Sequence, residues 1–533
     1  MFFAGQDSGA DIELWKSDGT SGGTVRVKDI NTAGSSSPVY LAALGDALVF
    51  SANDGNGTAL WKSNGTGAGT TLVKDPARTA SGIDDLSLYY PPLSTGIVGV
   101  GDKLFFVPDD GVVPGQDLWV SDSTANGTKL VKHINAGAVN PYSLTEHNGR
   151  LFFIGADAAA TSLWQSDGTT VGTTIVRSFA GNTLGSSKHS LISTVNALFF
   201  FMGDASGYKL WKSDGSAAGT TKVADLPQDS TPPSALTNVN GRLFFLASDS
   251  THGLEPWTSD GSAAGTHLLK ELRPAFDSAD PFGLTNFNGT LFFMVRLGID
   301  SGGFELWKSD GSLAGTVRVK SLGYTISNGA RPADLTVVGQ RLFFSAFDTR
   351  GGDELWVSDG TESGTKRLKD INTVPNYSQP YSDNTASNPV SLVNLNGTLL
   401  FSADDGVHGR ELWRSDGTEA GTTLVKDLNP GTNGSGVGAI QQVATSAWAL
   451  FAASDGLNGV ELWKTDGSAP RTVQIQDISP GASSSNPIAF TTSGLHSFFV
   501  ADDGSTGPEL WSLDSTILNE ALINKVRLPL VGR

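Results

Sequence analysis

Three kinds of residue in this chain have the chemistry of a site. Aspartates gather in short glycine-flanked stretches, and the pairs Asp404–Asp405 and Asp502–Asp503 put the most oxygen at one point. Carboxylate oxygens are hard-cation ligands, so these pairs are the candidates for Ca²⁺. None has the Asp-x-Asp-x-Asp-Gly spacing of a calcium loop, and an aspartate-capped turn is the competing reading. Arg78, Arg273 and Arg331 form the second group, the last two within Arg-Pro-Ala. A guanidinium fork matches a carboxylate, so these three are candidates for holding an acidic ligand. The third group is Tyr89, Tyr90, Tyr142, Tyr377 and Tyr381. Tyrosine joins an apolar ring face to a hydroxyl, which suits sugars and protein surfaces, with packing beneath long loops as the alternative.

Signals for catalysis are weaker. Gly19-Thr20-Ser21-Gly22-Gly23 fits G-x-S-x-G, but it lies in a turn between strands rather than in a strand-to-helix elbow. The seven histidines are scattered, and no H-E-x-x-H occurs. The chain has no cysteine, which excludes disulfides and thiolate metal sites. A formal charge of −18 argues against phosphate-backbone binding and therefore against a nucleic-acid partner. No apolar run reaches the length of a membrane span.

The elements that must carry these residues follow from a repeat. A Leu-Trp pair (Pro-Trp at 257) followed by a Ser-Asp-Gly-Thr-like turn recurs with tryptophans at 15, 61, 119, 164, 211, 257, 307, 356, 413, 463 and 511, spaced 45 to 58 residues apart. A period near 50 marks a repeat architecture, so residues shared by every unit are scaffold and function belongs where units differ. In residues 389–428 each unit reads as four strands, a to d. An Asn396-Gly397 hairpin turn separates a from b, an aspartate-rich loop separates b from c, and the Ser415-Asp416-Gly417-Thr418 turn separates c from d. Strands b, c and d carry adjacent apolar residues. Side chains alternate faces along a strand, so both faces of each sheet must be buried. Sheets stacked face to face by their neighbours make a β-propeller. The sequence therefore predicts an all-β chain, one propeller over 1–533, of about eleven four-stranded antiparallel blades. The end of the chain, Leu530-Val531-Gly532-Arg533, read before Met1-Phe2-Phe3 resembles the other a–b junctions. On that reading 526–533 supplies strand a of the first blade and closes the ring, with 515–525 as the last strand d.

Full copies such as Glu354-Leu355-Trp356-Val357-Ser358-Asp359-Gly360-Thr361 and Glu411-Leu412-Trp413-Arg414-Ser415-Asp416-Gly417-Thr418 resemble the bacterial ELWxxDGT-repeat family, also described as hyalin-like repeats. The resemblance covers essentially the whole chain. The turn is also similar, more loosely, to the Asp-box of sialidase- and sortilin-type propellers. The ELWxxDGT resemblance implies an exported bacterial protein and no particular activity.

The a–b and c–d turns fall on one face and are uniform; the b–c loops and d–a connections fall on the other and vary. Variable loops on a rigid scaffold are where binding residues concentrate. The expected function is an extracellular, non-catalytic scaffold presenting those loops to a polysaccharide or a cell-surface protein. The alternatives are a polysaccharide hydrolase or lyase and a structural surface-assembly protein.

Overall fold

A computed structural model of the chain describes residues 1–6, 11–18, 23–74, 97–107, 117–122, 124, 126–134, 139–156, 160–180, 191–194, 197–204, 206–226, 232–249, 253–273, 279–297, 303–324, 333–348, 352–374, 386–443, 446–493, 496–504 and 508–514. Among these residues the chain forms eleven antiparallel sheets, nine of four strands and two of three, each ordered a-b-c-d in sequence. Its one helical element there is a single 3-10 turn, Ala469–Arg471. No helix among the described residues is long and apolar enough to cross a membrane. The protein is a β-propeller, and the eleven sheets coincide with the eleven marker tryptophans.

The ninth blade shows how the repeat builds a sheet. Its strands are Val390–Leu395, Thr398–Asp404, Arg410–Ser415 and Thr423–Lys426. At the a–b turn Asn396 and Gly397 have φ of 49° and 90°, the left-handed pair that a two-residue hairpin requires. Phe401 pairs with Trp413 across strands b and c, and their rings lie 6.5 Å apart. Leu399, Leu400, Phe401 and Leu412 are all fully buried. Leu399 and Phe401 pack toward blade eight, while Leu400 and Leu412 pack toward blade ten. The core is thus not one mass but a series of seams. Ten such clusters each span two consecutive sheets, from the seam of blades one and two to that of blades ten and eleven. Cutting one seam tryptophan to alanine removes about 3–5 kcal/mol of packing.

A cation locks many seams. Lys426, at the end of strand d in blade nine, sits 5.9 Å from the Trp463 ring of blade ten and donates to Thr472 O at 3.0 Å. Lys28 does the same to Trp61 and Thr70, Lys132 to Trp164 and Thr173, and Lys270 to Trp307 and Thr316. Arg177 takes the place of lysine against Trp211 and Thr220.

The c–d turn is a closed hydrogen-bond circuit. Asp416 Oδ1 accepts the Thr418 N–H at 2.8 Å and its hydroxyl at 2.7 Å; Thr418 Oγ1 accepts the Gly421 N–H at 2.9 Å. Thr422 donates its hydroxyl to Thr418 O, so the 2.8 Å contact with Ser415 is donated by the serine. These bonds, the Thr418 hydroxyl first, hold the Asp416 carboxyl below the usual carboxylate range. Glycine at 421 is steric, since a Cβ there would lie 2.1 Å from Asp416 Oδ1. The scaffold reading of this turn therefore has a physical basis.

The first sheet holds Phe2–Gln6, Ile12–Lys16 and Val25–Lys28, which are strands b, c and d. The last holds Ile488–Ser493, His496–Asp502 and Pro508–Asp514, which are a, b and c. The strands expected to complete them, in 515–525 and 526–533, lie outside the described residues.

Candidate binding face

Alternating strand direction puts every b–c loop and d–a connection at one end of the blades. What holds that end in place is the glutamate before Leu-Trp. Glu461 is fully buried, yet its carboxylate accepts the Ile478 N–H at 2.7 Å, the Ser485 N–H at 2.9 Å and the Ser485 hydroxyl at 2.7 Å. It thereby ties both ends of the connection 477–487 to strand c. Glu411 makes the same set with Leu428, Asn429 and Ser435, and Glu13 with Ile30, Asn31 and Ser36. Glu354 holds Ile371 and Ser387. Burial pushes the carboxyls of Glu354, Glu411 and Glu461 upward, Glu354 to about 7, against the pull of their serine and backbone donors. Other blades lack the carboxylate, with Ala59, Ser162 and Lys209 in its place, and two vary the device. Asp117 replaces glutamate and accepts the Ile134 N–H at 2.8 Å, with His133 Nδ1 2.5 Å from its other oxygen. Glu305 turns instead to Trp307 Nε1 and Arg318.

These glutamates were not among the residues expected from sequence to build the face. The signal was present: glutamate recurs immediately before Leu-Trp in the blades whose d–a connection ends in a serine ahead of strand a.

The residues proposed from sequence fall as follows. Arg78, Tyr89, Tyr90, Arg331, Tyr377 and Tyr381 lie outside the described residues. Tyr142 is in the strand Val139–His147, half-buried against the seam of blades four and five, and burial raises its hydroxyl pKa. Its ring belongs to packing. Arg273 follows Leu272, whose N–H donates to Glu255, at the start of the sixth d–a connection. Asp404 Oδ1 accepts the Gly406 N–H, and Asp405 accepts the N–H groups of Val407 and His408 and pairs with His408 Nδ1 at 2.7 Å. Asp502 Oδ1 accepts the Gly504 N–H. Asp404, Asp405 and Asp502 are turn caps.

A different trio, Asp11, Glu13 and Asp29, brings carboxylate oxygens within 4.8 Å of one another. Glu13 there already accepts four donors, so only the two aspartates have oxygen to offer a cation. A serine–histidine contact also occurs: His147 Nδ1 lies 2.8 Å from Ser193 Oγ. Its Nε2 faces the Asn148 amide donor at 3.0 Å, so Nε2 accepts, the ring proton sits on Nδ1, and the histidine donates to the serine. That polarity is the reverse of a general base.

Grooves open between blades among the described residues. On the a–b and c–d face, about 530 Å³ lies between blades seven and eight beside Phe292, Lys308, Asp310, Gln340 and Asp359. Its charged groups are engaged: Lys308 donates to Gly360 O, and each aspartate closes its own turn. On the connection face, about 460 Å³ lies between the inner strands of blades ten and eleven, beside Gly438, Ala439, Ile488 and Phe490.

No family model and no curated protein matches the chain. Among solved structures, the computationally designed Ika8 protein is 15% identical, with 70% of this chain and 96% of that one covered and a TM-score of 0.31. A puromycin hydrolase is 14% identical over 71% of this chain and 52% of its own, with a TM-score of 0.30. The tricorn protease is 13% identical over 90% and 43%, with a TM-score of 0.22. The chain thus spans about half the length of the puromycin hydrolase, and similarity at this level says nothing of activity.

Proposed function

We propose that this protein is a non-catalytic, extracellular binding scaffold, a member of the exported ELWxxDGT-repeat group, whose connection face engages a polysaccharide or a cell-surface protein. The observation that supports it is the buried glutamate. In blades one, eight, nine and ten it fixes d–a connections that differ in sequence to a common rigid frame, which lowers the ordering cost of binding through them.

The test is a glycan array and a cell-surface binding assay on the full chain, beside variants with Tyr89 and Tyr90, or Tyr377 and Tyr381, changed to serine. Saturable binding lost in one of the variants supports the proposal. Absence of binding, binding unchanged in both variants, or turnover of the bound glycan contradicts it. The last outcome would favour the hydrolase or lyase reading.

A further inference from the structure

The groove between blades ten and eleven owes its shape to missing side chains. Its floor is Gly436, Gly438, Ala439 and Ala452, and Ile488 and Phe490 wall it from blade eleven. Ile488 is 61% exposed, and Leu457 in the adjoining b–c loop is 76% exposed. These two are among the most exposed aliphatic side chains of the described residues, and they share one end of neighbouring blades.

The rim is acidic. The Ser454 N–H donates to Ser435 O and the Asp502 N–H to Ser485 O, so the ends of both b strands close over the d–a connections that border the groove. Asp455 follows the first of these strand ends, and Asp502 and Asp503 lie at the second. From Asp427 to Asp514 the chain carries two basic residues and nine acidic ones, of which Glu461 is buried and Asp466 closes the c–d turn at the other end of blade ten. Both basic residues lie elsewhere: Lys464 and Arg471 stand 4.9 and 5.1 Å from the Trp448 ring, at the a–b and c–d end of blade ten. The inner strand Ile440–Gln442 is also the terminal strand of its sheet, paired only with Ala449–Ser454 among the described residues.

We propose that this groove docks an extended peptide segment of another protein in which aliphatic residues alternate with lysine or arginine. Alternation sends successive side chains to opposite sides of an extended chain. Aliphatic groups would then enter the Gly/Ala floor while ammonium or guanidinium groups meet the carboxylate rim, and the open strand edge offers backbone groups for strand addition. The residues that carry it include none of the tyrosines named for glycan recognition, so it stands or falls apart from that reading.

Fluorescence anisotropy with a labelled, alternating Leu/Lys peptide and the full chain tests it, beside a Leu/Glu peptide of equal length. The key variant is Gly438→Phe: a Cβ at 438 meets nothing within 4 Å and the backbone there is not left-handed, so phenylalanine fills the groove and leaves the core alone. An unchanged melting temperature confirms that the variant is folded. The expected result is saturable binding of the Leu/Lys peptide and none of the Leu/Glu peptide. Gly438→Phe should weaken it about tenfold or more, the scale of a lost hot-spot contact. The pair Asp455→Asn with Asp502→Asn should weaken it severalfold, as should added salt. No saturable binding, equal affinity for the Leu/Glu peptide, or affinity unchanged by Gly438→Phe overturns the proposal. A glycan-binding chain that fails the peptide arm would refute this site and leave the proposed function intact.

Discussion

Glu461 and Ser485 stand 24 residues apart in the chain, and the serine hydroxyl donates to the glutamate carboxylate at 2.7 Å. The contact closes the connection between blades ten and eleven onto strand c. Its equivalents at Glu13–Ser36, Glu354–Ser387 and Glu411–Ser435 make it a built feature of the repeat.

Glu461→Ala should be far more costly than Ser485→Ala. The alanine leaves the buried Ile478 N–H without an acceptor and takes the carboxylate from the Ser485 N–H, which keeps Val460 O, at a cost of about 2–3 kcal/mol, whereas loss of one hydroxyl costs about 1 kcal/mol. Urea midpoints of the two variants check the order. Equal, small shifts would mean that the carboxylate is not the pin.

Stability should fall as pH rises through neutrality. Burial places the folded-state value of Glu354 at about 7 against an ordinary 4.5, so the native state holds this proton more tightly than the unfolded chain. That contribution is fully present below about pH 4.5 and is lost as pH rises to about 7, on the order of 3 kcal/mol at that site. Glu411 and Glu461 shift in the same direction. Melting temperatures measured from pH 5 to pH 8 should therefore decline, and Glu354→Gln should reduce the slope. A rising profile, or a slope unchanged by that substitution, contradicts the assignment.

Gly421→Ala and Gly438→Ala should behave oppositely. The first forces a methyl group to 2.1 Å from Asp416 Oδ1 and must break the turn circuit, costing about 1–3 kcal/mol; the second meets open space and should be neutral. Chemical denaturation of the pair reads the difference directly.

Lys426→Met keeps much of the aliphatic stem but removes the ammonium from the Trp463 ring and from Thr472 O. The expected loss is about 1–2 kcal/mol. Lys426→Arg should retain most of it, because Arg177 already fills the same role at Trp211. A methionine variant as stable as the parent would remove the seam cation from the account.

The blades were legible because burial on both faces writes itself into adjacent apolar residues. Leu399, Leu400 and Phe401 are a run that no one-sided sheet would carry, and all three are buried. Asn396-Gly397 was legible because few residue pairs tolerate its backbone. The turn role of Asp416 followed from the recurrence of aspartate at that place in ten of the eleven units, with Asn64 in the second. The glutamate pin escaped notice because an acidic residue beside Leu-Trp reads as solvated until its distant serine partner is seen. The groove of blades ten and eleven was illegible for another reason: Gly436, Gly438, Ala439 and Ala452 create it by lacking side chains, and only the fold sets them side by side. Asp405 looked like a ligand because composition does not reveal that its oxygens already face Val407 and His408.

Hydrogen exchange at single-amide resolution tests the rigid connection face most directly. The N–H groups of Leu428, Ser435, Ile478 and Ser485 lie in or border loops yet donate to buried carboxylates, so they should exchange as slowly as the core strands; Glu411→Ala should release Leu428 and Glu461→Ala should release Ile478, with smaller effects at Ser435 and Ser485, whose N–H groups also donate to Arg410 O and Val460 O. Exchange of these four amides at the rate of exposed loops in the unaltered protein would contradict the account.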